Sequence, residues 1–244
     1  MLANPSKFQS IFSNKSKESI DTSIVINNKI INSQRLVNLL GLDIDDKLKF
    51  DSHISNLCKK AGGQLNSLYR FRKYLSPSSK ILSINSFILS NFSYCPLVWH
   101  FSTVKSKNKI EQIQKRALKF LGHTSENSLK SLSSPMEVKR LRTLAIEIYK
   151  TLNSLNPEYM KDLFCVSNNW TSERFKFNIE SKTFRQIKYG RNSLRVLAPI
   201  LWNSLPNDAK SLPTLEDFKE FIQKWGTNGC PLYKKFKSYV ESTK

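Results

Sequence analysis

Glycine and paired cysteines are scarce in this chain, and each shortage argues against a class of functional site. The 244 residues include only 7 Gly and contain neither a GxGxxG nor a P-loop string, so no glycine-rich phosphate loop is predicted. No two of the four cysteines are paired at CxxC spacing. Neither a zinc site nor a disulfide framework is indicated. We expect free buried thiols in a reducing compartment at Cys58, Cys95, Cys165 and Cys230.

Acidic residues are also scarce, and they are unevenly distributed. Lys and Arg number 39 against 19 Asp and Glu, which gives a net charge of +20. No acidic residue occurs between Ser52 and Ile110. A chain this basic typically meets a polyanion, either nucleic acid or an anionic membrane. The predicted nucleic-acid-binding residues come from this stretch and the helix after it: Lys59, Lys60, Arg70, Arg72, Lys73, Lys105, Lys107, Lys109, Lys115, Arg116 and Lys119.

Long apolar runs are missing as well. The first residues, Met-Leu-Ala-Asn-Pro, lack the apolar core of a signal peptide. The range 81–101 is uncharged, but it contains four Ser, two Asn, a His and Pro96, so we predict two buried segments rather than a membrane span. We expect a nuclear or cytoplasmic protein that is not secreted and has no transmembrane segment. Binding of the basic helices to a membrane surface stays open on charge alone.

The periodicity predicts an α+β fold that is mostly α-helical, with its strands near the N-terminus. Two β-branched runs around Asn27-Asn28 predict a hairpin over Ile24–Ile31, and the range 35–44 is predicted to add a third strand. Helices are predicted over 53–75, from Ser76-Pro77 to about 92, over 106–121, from a capping box at Ser134–Glu137 to before Asn156-Pro157, and from Thr214 to Trp225.

Two further groups of residues admit more than one interpretation. The carboxylates of Asp43, Asp45, Asp46 and Asp51 are clustered enough to suggest a metal site, but turn and capping roles where strand gives way to helix explain them more simply. Aromatics among basic residues in 165–188 either stack on bases or anchor a loop, and we favour anchors. This segment is the best linker candidate, and Trp202 beyond it is predicted to be a buried anchor.

An ordered set of short motifs links these elements to a known family. The strings are NPSKFQ from Asn4, LGLDID from Leu40, SNFSYCPLVW from Ser90, KIEQIQKRAL from Lys109 and APILWNSLP from Ala198. Together they cover most of the chain. The set resembles the C-terminal part of jockey-like non-LTR retrotransposon (LINE) reverse transcriptases, which are RNA-directed DNA polymerases.

The resemblance implies an organisation and a role. Residues 1–50 would be the end of the polymerase palm with primer-grip-like strands, residues 51–165 a helical thumb and connection region, and residues 166–244 a C-terminal tail unit. Lys7 would match a lysine thought to protonate the leaving pyrophosphate. The acidic Ala-Asp-Asp type of motif that holds Mg in such a polymerase does not occur in this sequence. The chain alone is therefore expected to be inactive and to hold no cofactor.

Two hypotheses follow about the partner. The chain is a retrotransposon polymerase fragment that would hold a template-primer duplex of RNA and DNA. Alternatively, it is a stand-alone or domesticated helical protein that binds nucleic acid or acts as a scaffold. The sequence contains no signal for an oligomeric state.

Overall fold

The chain folds into two compact units, residues 1–129 and 130–244. The computed structural model describes residues 4, 7–13, 22–26, 28–98, 100, 102–122, 134–164, 178–180, 193–225, 234 and 236–238. Helices make up most of the described structure, and the strands are confined to the first 45 residues. The predicted mostly helical α+β class is confirmed. The three-part division at 50 and 165 stays a prediction.

The first unit begins with two antiparallel hairpins. Strand β1 (Ser23–Ile26) pairs with β2 (Lys29–Asn32), which confirms the predicted hairpin. Asn28 in its turn has a φ of 59°, a left-handed conformation that asparagine tolerates well. Ser10 forms a parallel bridge with Ser33, so the preceding segment lies against the end of this hairpin.

The range 35–44 forms a second hairpin, so the prediction of a single third strand was wrong. Strand β3 (Leu36–Leu39) pairs with β4 (Leu42–Asp45) in a separate two-stranded sheet. The chain reverses at Leu40-Gly41, where both residues have positive φ, 50° and 85°. A two-residue turn of this kind matches the right-handed twist of the strands it joins.

Four helical segments complete the described part of the first unit. They are α1 (Asp51–Arg70), α2 (Pro77–Ser83), a π and 3-10 continuation (Ile84–Ile88, Leu89–Phe92) and α3 (Val104–Leu121). The Ser76 hydroxyl accepts the Ser79 N–H, so the predicted cap before Pro77 is present. Helix α1 ends five residues before the predicted boundary at residue 75.

The core of the first unit lies where α1, α3 and the π segment meet. Six of its aliphatic side chains are at most 1% exposed: Ile54, Ala61, Leu65, Ile84, Ile88 and Ile110. Asn91 donates to the Gln64 side chain of α1, and its amide also reaches the Phe87 carbonyl. Side-chain bonds to carbonyls one turn earlier compete with the regular helical ladder, which fits the change from α to π and 3-10 geometry here.

The second unit is helical in its described part. Its elements are α4 (Met136–Leu152), a 3-10 segment (Glu158–Leu163), α5 (Leu194–Asn203), α6 (Asn207–Lys210) and α7 (Leu215–Lys224). Its core is aromatic, because Phe218 stacks on Tyr149 at 4.4 Å between ring centroids and lies 5.9 Å from Trp202. Trp202 is 2% exposed, so the predicted buried anchor is confirmed.

Helix ends in the second unit follow the predictions in part. The Thr214 hydroxyl accepts the Asp217 N–H and caps α7, as predicted. The predicted capping box at Ser134–Glu137 was wrong, because Pro135 occupies the N-cap position of α4 and no side chain caps it. The predicted end of this helix just before Asn156-Pro157 was also wrong. The helix ends at Leu152, and Leu155 is 59% exposed.

Candidate nucleic-acid interface

The predicted binding residues sit on and beside α1 and α3, which pack against each other in parallel. At the start of the pair, the Asp51 carboxylate of α1 accepts hydrogen bonds from the hydroxyls of Thr103 and Ser106 at the start of α3. At the other end, the Tyr69 ring of α1 lies edge-on to Phe120 of α3, with centroids 5.1 Å apart. Both helices therefore present their C-terminal ends at the same side of the unit.

Helix α3 carries a basic stripe on the side opposite its core. Its buried residues include Ile110, Ile113 and Ala117. Advancing about 100° per residue places a second set of positions together on the opposite side, and all of them are exposed. That set consists of Lys105, Asn108, Gln112, Lys115 and Lys119. From Lys105 to Lys119 the stripe is about 21 Å long, roughly the rise of six base pairs.

Helix α1 extends this basic surface across the helix pair. Lys59 and Arg70 are exposed and lie together on the side of α1 away from its core. Between the helices, the Arg116 guanidinium donates to Asn66 Oδ1 at 2.9 Å. The Tyr69 hydroxyl donates to the Arg116 carbonyl at 3.4 Å. Arg116 is thus held in place at the seam by neutral partners, and its charge is not neutralised by a carboxylate there.

The C-terminal ends of the two helices collect more positive charge. Arg72 and Lys73 follow α1 directly and are exposed. The Arg72 guanidinium lies over Gly122, where it would be 3.1 Å from an added Cβ, so it sits beside the end of α3. Cations near helix C-termini are stabilised by the carbonyl dipoles there. That effect accounts for part of the basic character of this end without any ligand.

Three of the eleven predicted residues lie off the main surface. Lys60 projects from the other flank of α1, and Lys107 from the flank of α3 that also carries Glu111. Lys109 lies near Cys58 of α1. Burial raises the pKa of the Cys58 thiol, and the Lys109 charge opposes that shift. The structure therefore brings eight of the eleven residues to one surface: Lys59, Arg70, Arg72, Lys73, Lys105, Lys115, Arg116 and Lys119.

Acidic groups do not offset this surface within the described residues. In the first unit the described contact between a basic and an acidic side chain is His53 with Asp43, at 3.9 Å, and it involves none of these eight cations. The Asp51 carboxylate, at the start of the helix pair, is occupied by the hydroxyls of Thr103 and Ser106. We name the eight-residue patch the basic face. Uncompensated positive charge of this kind repels itself, and a phosphate backbone would relieve the repulsion.

The aspartates are part of the fold, but only Asp45 has the turn role that was predicted for this cluster; Asp43 and Asp51 bind other side chains instead. Asp45 accepts the N–H groups of Lys47, Lys49 and Phe50 and so shapes the turn from β4 into α1. Asp43 accepts the amides of Asn38 and Asn56, which lower the pKa of its carboxyl. Within the described ranges, no group of three or more His, Cys, Asp or Glu side chains is placed to hold a metal ion.

Lys7 is exposed in a short turn near the start of the chain. Its N–H donates to the Asn4 carbonyl at 3.1 Å. Gln34 N–H donates to the Ser10 carbonyl at 2.8 Å, which ties the segment just after Lys7 to the end of the first hairpin. The role of Lys7 as a general acid stays a prediction that depends on the resemblance.

Other predicted features lie partly or wholly outside the described residues. The aromatic and basic segment 165–188 is described only at 178–180, so its anchoring or stacking role stays open. Of the four cysteines, Cys58 and Cys95 are free and half-buried, while Cys165 and Cys230 lie outside the described part. Among the described helices, none is both long enough and apolar enough to span a bilayer.

Sequence reasoning missed the polar contacts that organise this interface. His53 is 2% exposed, and its Nδ1 accepts the Asp43 N–H at 3.3 Å, which joins β4 to α1. The Asn66–Arg116 bond links residues fifty positions apart. Periodicity within one helix carries no signal for either contact. No protein-family model, curated protein or solved structure matches the chain.

Proposed function

We propose that the first unit binds the phosphate backbone of a nucleic-acid duplex through the basic face. The observation that carries this proposal is the gathering of eight cations on the parallel α1/α3 pair, with no carboxylate paired to them in the described structure. Contacts of this kind position a duplex and read little of its sequence. Each neutralised phosphate adds about 0.9 to the dependence of log affinity on log salt.

The resemblance gives this proposal a biological setting. In it, the chain is part of a retrotransposon RNA-directed DNA polymerase, and the basic face holds the template-primer duplex. The Mg-binding carboxylates would belong to a palm upstream of Met1, where Lys7 would act beside them. The support is the ordered set of sequence motifs together with a basic helical unit that follows two small hairpins.

Salt-dependent binding of the full chain to a primer-template duplex tests the duplex proposal. The variant Lys105→Gln/Lys115→Gln/Lys119→Gln removes three charges from the α3 stripe without touching the core. We expect weaker binding and a salt slope reduced by about two to three. A matched control removes three exposed lysines of the second unit, Lys161→Gln/Lys234→Gln/Lys237→Gln, and keeps the same net charge.

The control variant should bind with nearly the wild-type slope. Equal losses in the two variants would mean that only the total charge matters, and the basic face would not be the site. Binding of the wild-type chain that does not change between low and moderate salt would overturn the proposal altogether. Circular dichroism of both variants verifies that the helices are retained.

The stand-alone alternative is favoured by one observation. Each unit is compact and contains its own buried core. Sequencing the genomic DNA and transcript upstream of the Met1 codon separates the two hypotheses. A continuous frame encoding an acidic Ala-Asp-Asp type of motif supports the polymerase setting. Stop codons or unrelated sequence there support a domesticated binding protein.

A further inference from the structure

The turn after α1 interleaves exposed aromatic rings with cations. Its sequence is Arg70-Phe71-Arg72-Lys73-Tyr74, and all five side chains are exposed. Phe71 is 58% exposed and Tyr74 is 86% exposed. Single exposed aromatics are common on protein surfaces. Two within five residues, separated by two cations and preceded by a third, form a more specific arrangement.

Backbone hydrogen bonds order this turn. The N–H of Phe71 donates to the Leu68 carbonyl at 3.1 Å, and the N–H of Tyr74 donates to the Phe71 carbonyl at 2.9 Å. Two residues later Ser76 caps α2. The two rings are thus held on a short, hydrogen-bonded connection between two helices, which lowers the entropy lost when a ligand settles on them.

The rings have no aromatic or hydrogen-bonding partner among the described residues. Tyr69, one turn earlier, is different, because its ring lies against Phe120 and its hydroxyl donates to Arg116. Phe71 and Tyr74 therefore add nothing comparable to the packing of the unit, and their faces are available to a flat ligand.

The electrostatic surroundings favour an anionic ligand. Arg70, Arg72 and Lys73 lie within the turn, and Arg72 also borders the end of α3. Asp51 lies at the far end of α1, about 28 Å away along the helix axis. A ligand that has both flat π faces and regularly spaced negative charges would match these rings and cations. Single-stranded nucleic acid has both.

We propose that the turn Arg70–Tyr74 is a binding site for unpaired nucleotides. Bases stack on Phe71 and Tyr74, while Arg70, Arg72 and Lys73 hold the intervening phosphates. This inference rests on the proposed function and extends it. The basic face grips a duplex by its backbone, and the turn at its end takes a single-stranded segment. Stacking tolerates any base, so the site selects for unpaired strands and not for a sequence.

A membrane surface fits the turn less well. Interfacial binding uses a continuous apolar face that sinks into the headgroup boundary. Here three of the five side chains are charged, and the two rings are separated by two of those charges. Anionic vesicles nevertheless provide a direct counter-test in the experiment below.

The test compares three labelled probes by fluorescence anisotropy with the full chain. They are a single-stranded oligonucleotide, an abasic strand of the same length and charge, and a blunt duplex. We expect the strand with bases to bind about tenfold more tightly than the abasic strand. The variant Phe71→Ala/Tyr74→Ala should remove that difference and leave duplex affinity and its salt slope unchanged. Tyr74→Phe, which keeps the ring, should retain the preference for bases.

A matched control carries the same two changes at exposed rings elsewhere. Phe87 is 54% exposed and Tyr159 is 71% exposed, so Phe87→Ala/Tyr159→Ala should preserve the preference for bases. Equal affinity of the wild-type chain for strands with and without bases would overturn the inference while leaving duplex binding intact. Loss of vesicle pelleting in Phe71→Ala/Tyr74→Ala, with unchanged oligonucleotide binding, would assign the turn to a membrane instead. Failure to bind any nucleic acid would remove the proposed function and this site together.

Discussion

The two units handle positive charge in opposite ways. Residues 1–129 contain nineteen Lys and Arg with eight acids, and residues 130–244 contain twenty with eleven. The totals are close, but the two units place their charges differently. In the second unit lysines pair with acids one turn away, at Lys150–Glu147, Lys219–Glu216 and Lys224–Glu220. Within the described residues, none of the eight cations of the basic face forms such a pair.

This contrast separates charge that serves solubility from charge that is available for binding. A lysine with a glutamate three or four residues earlier gains a few tenths of a kcal/mol and presents a mixed surface to water. The basic face lacks that compensation in the described structure, and five of its eight cations lie in a stretch of 59 residues without an acid, 52–110. The same chain uses i,i+3 and i,i+4 pairs elsewhere, so the lack of described ion pairs at these eight cations is a property of this surface and not of the overall composition.

The largest expected effect comes from substitutions in the two cores, which test whether both units are well packed although their surfaces differ. Leu65 in the first unit and Phe218 in the second are fully buried. We expect Leu65→Ala to lower the free energy of unfolding by about 2–5 kcal/mol and Phe218→Ala by about 3–5 kcal/mol. Urea unfolding followed by circular dichroism measures both. Tyr159→Ala, at an exposed ring, should change the free energy of unfolding by less than about 0.5 kcal/mol. A cost below about 1 kcal/mol for Leu65→Ala alone would show that the core of the first unit is loosely packed.

A second contrast between the units is their response to acid, because all three histidines lie in the first unit. Burial lowers the pKa of His53, and the nearby Asp43 carboxylate opposes this shift. His53 Nδ1 accepts the Asp43 N–H, so the neutral ring is the form that fits.

The sign of the effect follows from the proton uptake of each state. Below about pH 6.5 the unfolded chain binds a proton at His53 before the folded chain does, so stability is complete above that pH and is lost as pH falls. Urea unfolding at pH 7.5 and 5.5 should show this loss for the wild type and a smaller one for His53→Gln. Identical pH dependence in the two proteins would place the titrating group elsewhere.

Local patterns predicted the elements that local physics decides. The hairpin at Asn27-Asn28, the cap at Thr214 and the extent of α3 to within two residues all follow from propensity and periodicity. The second hairpin was missed because Leu40 takes a positive φ, which its side chain gives no reason to expect. The capping box failed because Pro135, not Ser134, occupies the cap position.

The candidate site was predictable as a set of residues but not as a surface. The acid-free stretch and the helix after it identified the cations, and the helical period of α1 places Lys59 with Arg70. Only the parallel packing of α1 on α3 shows that Arg116 reaches Asn66 and that Arg72 borders Gly122. These contacts join residues about fifty positions apart, and a single sequence contains no local signal for them.

The smallest expected effect converts one kind of surface into the other. Gln112 is exposed on the α3 stripe, three residues before Lys115 and four before Arg116. Glu111 already lies four residues before Lys115, but the two form no ion pair in the described structure. Gln112→Glu would place a second acid one turn before both Lys115 and Arg116. We expect a gain of about 0.3–0.5 kcal/mol in the free energy of unfolding together with weaker duplex binding and a salt slope lower by about one.

The control for this change is Gln223→Glu, which adds the same charge to an exposed position of α7. It should leave the salt slope near the wild-type value. A more stable Gln112→Glu protein with undiminished binding would mean that the phosphates do not pass over the middle of the stripe. A less stable one would mean that the cations around residue 112 are already neutralised. If the cations of the basic face are unpaired because they bind a polyanion, one added acid should raise the stability and lower the affinity for the duplex.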